Sequence, residues 1–261
     1  MALVFQVLAS GSKGNAIYVA GGSTALLVDA GLSAKEIGRR LQAAGLSPKS
    51  LAAVLLSHEH SDHIRGVGVF SRRHDLPVYL TQGCLEALPP QLGELAAVHL
   101  IQSGRPFRVG DLSVLPFSLS HDAADPVGFI VEHDGCRLAV CTDCGTATQL
   151  VRTRLRHCHG LIVEANHDVE RLLNGPYTWP LKQRIRGRHG HLSNDECCDL
   201  LQDVHHQDLQ VVVMAHLSEI NNHPQLVRDT LGHRLERDRW AHVRFLIAAQ
   251  DHAGPPCELT P

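Results

Sequence analysis

Six times along this chain an apolar run gives way to residues able to hold a metal ion: Asp29, His58 with His60, His121, Asp143, Glu164 and His216. The runs before them, such as Ala52–Leu56 and Leu209–Ala215, have the length and composition of buried strands. Strands sharing a sheet bring their ends to one edge. The pattern therefore calls for a fold in which donors far apart in sequence converge there. Chance could place one or two donors in this way, but hardly six.

The densest of these places is Ser57-His58-Glu59-His60-Ser61-Asp62-His63. His58 and His60 are two apart, so at an extended strand end they project to the same side. Asp62 and His63 fall where the chain should turn and can face elsewhere, so one stretch can feed two ions. Imidazole and carboxylate together suit a transition metal. The plainer reading is a solvated cluster in a chain that carries 19 histidines.

Composition sets the outer limits. A chain of 261 residues with 44% hydrophobic and 20% charged residues can bury a substantial core. Its longest apolar runs, Val211–Ala215 and Ala52–Leu56, are too short to span a bilayer. The first residues lack the basic start and long apolar stretch of a secretion signal, so the expected location is the cytoplasm. Eight scattered cysteines fit reduced, buried thiols there. Cys141-Thr142-Asp143-Cys144 is a lone C-x-x-C, a weak signal for zinc or redox chemistry, and small core residues are the expected role. A net charge of −3 excludes a uniformly basic surface but allows a local basic groove.

In order, the chain reads as strand, Gly-rich turn, strand, turn and strand up to Asp29, then a helix capped by Ser33 and Glu36. The turn Ser10–Asn15 is not a phosphate-binding loop, because no Gly-Lys-Ser/Thr opens a helix, and a plain hairpin turn is expected. His63–Arg73 reads as helical. Val98–Ile101, Leu112–Leu119, Val127–Glu132 and Arg137–Cys141 follow as strands, and Ser193 with Glu196 opens another capped helix. The two halves are alike, each strand-rich and then strand–helix. This suggests one α/β domain over residues 1–250 and a loose tail over 251–261.

The motif His58-x-His60-x-Asp62-His63, with Asp29 upstream and His121, Asp143 and His216 downstream, resembles the metallo-β-lactamase superfamily. More narrowly the chain is similar to the YycJ/WalJ-type nucleases. The matching pieces are Ala9-Ser10-Gly11-Ser12-x-Gly14-Asn15, Asp29–Ser33, Ser120–Ala123, Glu164–Asp168, Gly190–Asn194 and His216-Leu217-Ser218-x-x-Asn221-Asn222. The resemblance implies a four-layer αββα sandwich with two divalent metal ions at one edge. It assigns His58, His60 and His121 to the first ion, Asp62, His63 and His216 to the second, and Asp143 to both, with a bridging hydroxide as nucleophile. Asp29 would steady the histidine loop. Zinc is the expected metal; manganese or iron(II) also suits the donors.

The same resemblance implies a phosphodiesterase, specifically a 5′-to-3′ exonuclease on single-stranded DNA in preference to RNA. Asp62, His191 and Glu164 are its candidate catalytic residues, His191 as proton donor to the leaving oxygen with Glu164 orienting it. From Arg171 to Asn194 there is no acidic residue, and Lys182, Arg184, Arg186 and Arg188 are candidates to hold substrate phosphates. Tyr177 and Trp179 precede this run; core packing is their expected role, with base stacking the other. Two alternatives stand beside this reading. One is a hydrolase of a small ester, thioester or cyclic phosphodiester on the same scaffold. The other is a metal-stabilised binding module, which the paired Asp62 and Asp143 disfavour, since structural zinc sites are closed by four ligands.

Overall fold

Val211–Ala215 is buried at every position and pairs in parallel on both sides, the pattern of a strand covered on both faces. A computed structural model describing residues 2–261 places it in one of two seven-stranded sheets. The first sheet contains β1 (Leu3–Ala9), β2 (Ala16–Gly21), β3 (Thr24–Val28), β4 (Leu51–Leu55), β5 (Pro77–Thr81) and β6 (Ala97–Ile101). The second contains β7 (Phe107–Val109), β8 (Leu112–Ser118), β9 (Val127–His133), β10 (Cys136–Cys141), β11 (Gly160–Glu164), β12 (Val211–Ala215) and β13 (Arg244–Ile247).

Each half begins antiparallel and turns parallel, from β3 onward in the first and from β10 onward in the second. The C-terminal ends of β3 and β4 therefore share one edge, as do those of β10, β11 and β12. Strand β8 lies two antiparallel steps from β10, so its C-terminal end falls on that edge too. The donors that follow these strands meet there.

The inner faces pack on each other through Phe5, Val28, Leu55, Phe129, Leu138 and Val213. Helices Ala34–Ala43 and Val67–His74 cover the outside of the first sheet through Ile37, Leu41 and Phe70. Helices Gln149–Leu155 and Asn194–Val204 cover the second through Val151, Leu155 and Leu200. This is the four-layer αββα sandwich. Both capped helices form as read, with a complete capping box at Ser193 and Glu196.

Two expectations change. The stretch 251–261 is not a loose tail, because Cys257–Leu259 forms β14 and adds antiparallel to β1 with Cys257 and Leu259 buried. Three residues of alternation after two prolines are too short a signal to read as a strand. The stretch His63–Arg73 is two helices, Ser61–Ile64 and Val67–His74, split near Gly66. A Cβ on Gly66 would lie 2.1 Å from the Leu32 carbonyl oxygen, so the backbones touch there. Among the described residues no helix is long and apolar enough to cross a membrane.

Candidate metal centre

Three of the strand-end residues adopt the left-handed backbone region: Asp29 (φ 60°), Asp143 (φ 57°) and His216 (φ 55°). Non-glycine residues adopt this region uncommonly, although aspartate and histidine do so more often than most. Strain of this kind collects where side-chain direction matters more than backbone comfort. The histidine loop is laced to its neighbours by Asn15 N–H donating to the Asp62 carbonyl (2.8 Å) and Ala30 N–H to that of His63 (2.8 Å). A Cβ on Gly31 would lie 1.6 Å from the Asp62 oxygen, so only glycine allows this approach.

The hydrogen bonds fix which nitrogen of each ring faces inward. A carboxylate only accepts, so His63 Nδ1 carries the proton it donates to Asp29 Oδ2 (2.7 Å), and His216 Nδ1 the one it donates to Glu164 Oε1 (2.9 Å). His121 Nδ1 donates to the Gly190 carbonyl (3.0 Å). The Ser57 hydroxyl lies 2.9 and 3.0 Å from the Asp29 oxygens and donates there, so His58 Nδ1 donates to Ser57 Oγ (3.0 Å). All four rings thus aim an Nε2 lone pair into one space. His60 meets them with Nδ1, 3.2 Å from His121 Nε2.

Such an arrangement needs cations. His63 Nε2 stands 3.1 Å from Asp143 Oδ2, and His216 Nε2 stands 3.2 Å from Asp62 Oδ2 and 3.6 Å from Asp143 Oδ1. The buried His58 Nε2 has no hydrogen-bond partner. Burial works against charge on His63 and His216, yet the carboxylates around them, Asp143 foremost, hold both imidazoles well above their ordinary range. What attracts a proton there would attract a metal ion. The donor atoms fall into sets of the right size: His58, His60 and His121; Asp62, His63 and His216; and Asp143 within reach of His58 and His63 and also of His216. The residues fit divalent metal ions, and Asp143 is a member of two of the donor sets.

Glu164 also lies within reach of a metal set with Asp143, His191 and His216. It is not a free ligand: Oε1 accepts from His191 Nδ1 (2.7 Å) and His216 Nδ1, while Oε2 accepts from the backbone of Cys144 (2.9 Å) and Leu192 (3.3 Å). Burial pushes its carboxyl up, but His191 and His216 overcome that and bring it down to about 2. His191 is the more exposed partner, at 21%. Burial lowers its affinity for a proton, and Glu164 and Asp143 more than restore it, so the imidazole stands above its ordinary range.

A cavity of about 270 Å³ opens over this set, lined by Ser12, Asp62, Asp143, Arg184, His191 and His216 among others. Of the four basic candidates only Arg184 lines it, and its Nε binds Asp122 Oδ2 at 2.5 Å. Lys182 is buried, and its ammonium donates to the Leu173 (2.7 Å) and Gly175 (2.8 Å) carbonyls. Arg186 lines a separate groove, and Arg188 is exposed outside the cavity. The sequence shows four like charges, while the helix Trp179–Ile185 and the turn after it point them in different directions. Trp179 is 58% exposed rather than packed in the core.

Sequence reasoning missed two supports. Asn15, read as part of a plain turn, is buried and sends Nδ2 toward the Asp62 carbonyl (3.3 Å), Asp62 Oδ2 (3.3 Å) and His63 Nε2 (3.1 Å). Its one signal was its place in the Ser10-Gly11-Ser12-x-Gly14-Asn15 motif. Ser57, unassigned before, relays Asp29 to His58. The cysteines around Asp143 are buried and free, as expected.

A family model of the beta-lactamase superfamily domain matches residues 24–217. The chain is 37% identical over 238 residues to exodeoxyribonuclease YycJ of Bacillus anthracis, covering 90% of each. It is 34% identical over 262 residues to exodeoxyribonuclease WalJ of Streptococcus pneumoniae, covering 98% of this chain and 97% of that one. Among solved structures, the metallo-beta-lactamase fold protein YhfI of Bacillus subtilis superposes with a TM-score of 0.76 at 17% identity, over 98% of this chain and 99% of that one.

Proposed function

The chain belongs to the beta-lactamase superfamily, in the family of the YycJ and WalJ exodeoxyribonucleases, and from that premise we propose that it is a dinuclear-metal 5′-to-3′ exonuclease acting on single-stranded DNA. It is a metal-dependent hydrolase. What carries the phosphodiester reading is the Glu164–His191 pair, 2.7 Å apart beside the candidate ligand set. The activity named for YycJ and WalJ supports DNA as the polymer. The free cysteines agree with a cytoplasmic location.

His58, His60, His121, Asp62, His63, His216 and Asp143 would hold the two ions, zinc in preference to manganese or iron. Once bound, such a pair supplies an acidified water and neutralises charge on the phosphodiester oxygens. The chain's own residues do the rest. Asp29 and Glu164 hold the ligand rings in the tautomer that turns Nε2 inward. Asp62 stays ionised: burial opposes this, but its contacts with His216 and His63 hold its carboxyl far below the ordinary range. His191, with Nδ1 tied to Glu164, carries its transferable proton on Nε2. As the oxygen of water bonds to phosphorus and the bond to the leaving sugar oxygen breaks, His191 delivers that proton to the departing oxygen. Arg184 steadies a phosphate at the cavity rim.

The test gives the purified protein 5′-labelled single-stranded DNA, the matching RNA and a chromogenic phosphodiester, with added metal or chelator. Chelator-sensitive release of nucleotides from the 5′ end of DNA is expected. His60→Ala should abolish it, and His191→Ala should lower kcat about 10²–10⁴-fold while retaining the metals. No chelator-sensitive cleavage of any diester would overturn the proposal. Full activity in His191→Ala would remove its proton-donor role, and cleavage of the small diester alone would favour a small-molecule hydrolase.

A further inference from the structure

The acid-free segment holds a second feature outside the metal cavity. Leu173, Trp179, Lys182, Gln183 and Arg186 line a groove of about 340 Å³. Trp179 is the one aromatic among the exposed large hydrophobic residues. It lies in the first turn of the helix Trp179–Ile185, followed by Pro180, so its backbone is rigidly placed. The indole is 58% exposed, so much of its surface is free to meet a ligand.

The charges around it have no acidic partner among the described residues. Among the described residues neither Lys182 nor Arg186 forms an ion pair with a carboxylate, whereas Arg184 on the same helix pairs with Asp122. Lys182 gives two of its three N–H bonds to the carbonyls of Leu173 and Gly175, which fixes the ammonium in the groove wall with one donor left. An anchored ammonium, an unpaired guanidinium and an open indole face together match a nucleotide: anionic phosphate on one side, flat base on the other.

We propose that this groove is a nucleotide subsite in which Trp179 stacks on a base of the bound strand while Arg186 and Lys182 hold the adjoining phosphate. The inference rests on the nuclease reading above and adds where the strand runs beyond the metal cavity. Arg184 lines the cavity and Trp179 the groove, five residues apart on one helix, or about 7.5 Å along its axis. They stand on different faces of that helix, so a strand touching both wraps around it. The stacked nucleotide is thus near the scissile phosphate but not at it. Every base offers a π face, so the subsite confers affinity for single strands without sequence preference.

The chain has two tryptophans, and Trp240 is only 5% exposed, so a change in intrinsic fluorescence on contact with a ligand reports on Trp179. Metal-loaded protein titrated with cleavage-resistant phosphorothioate oligo(dT) should show saturable quenching. An abasic strand of equal length should bind without that quenching, and Trp179→Phe should lose the signal. In steady-state assays on oligo(dT), Trp179→Ala should raise KM about five- to a hundredfold with kcat little changed, and Trp179→Phe should restore most of the loss. Arg186→Gln should raise KM and flatten its dependence on salt. Wild-type cleavage of single strands with no quenching and a KM shift below twofold in Trp179→Ala would overturn the subsite and leave the nuclease reading intact. Absence of strand cleavage by the wild type would overturn both.

Discussion

Replacing Asp29 by Asn isolates the tautomer logic of the metal centre. Asn is the gentlest substitute, since it keeps the shape and tolerates the left-handed backbone that Asp29 adopts. Its amide oxygen can still accept from Ser57 N–H, as Asp29 Oδ1 does at 2.9 Å. The amide nitrogen then faces His63 Nδ1, where a carboxylate oxygen stood at 2.7 Å. Two N–H groups cannot face each other there, so His63 must move its proton to Nε2, the atom meant for the metal. The lost interaction is a charge-assisted hydrogen bond of about 1.5–3 kcal/mol. At 1.4 kcal/mol per decade that is about ten- to a hundredfold in affinity, in line with other residues that orient metal ligands. Competition against a chromophoric chelator measures both binding steps. On the proposed assignment, an ion at Asp62, His63 and His216 should weaken by that factor, and one at His58, His60 and His121 should weaken less. Two wild-type affinities, within twofold, would refute the argument that Asp29 sets the His63 tautomer.

Three further outcomes follow from packing and charge. Gly31→Ala should destabilise the protein by several kcal/mol or prevent folding, because the new Cβ would sit 1.6 Å from the Asp62 carbonyl oxygen; a wild-type melting curve would contradict that contact. Glu36 is hydrogen-bonded to Arg39 and Arg40, which together bring its carboxyl down from 4.5 to about 2. A depressed folded value means that its stabilisation is fully present above about pH 4.5 and disappears as pH falls toward 2, so in metal-free protein Glu36→Gln should be less stable at pH 6 and should narrow its gap to wild type by pH 2.5. Leu259→Ala should cost about 2–5 kcal/mol in urea unfolding, because Leu259 is fully buried between the sheets; a cost below 0.5 kcal/mol would mean that β14 is not part of the core.

The layered fold and the converging donors were legible because burial and strand ends leave one-dimensional marks. Leu209–Ala215 announces a covered strand, and the step from Leu56 to His58 announces the exit of another. What escaped was direction. Lys182, Arg184 and Arg186 look alike as letters, yet a helix turns one toward the cavity, buries another and leaves the third in a groove. The roles of Asn15 and Ser57 depend on partners 47 and 28 residues away, Asp62 and Asp29, and no local pattern marks them. Glu164 was read as the orienter of His191; that it also holds His216 follows from β11 and β12 being neighbours.

The centre sits across the seam between the sheets, and this bears on when the enzyme becomes active. Four of the seven donors, His58 to His63, are synthesised in the first quarter of the chain. His121 and Asp143 come near the middle, and His216 only after four-fifths is made. Neither half contains a complete set, since each three-residue set takes its last member from the second sheet. On the proposed assignment, a chain cut before β12 has the donors of the first set but lacks His216 of the second. Two-metal hydrolysis is then expected only from the finished tertiary structure, in which both sheets have come together.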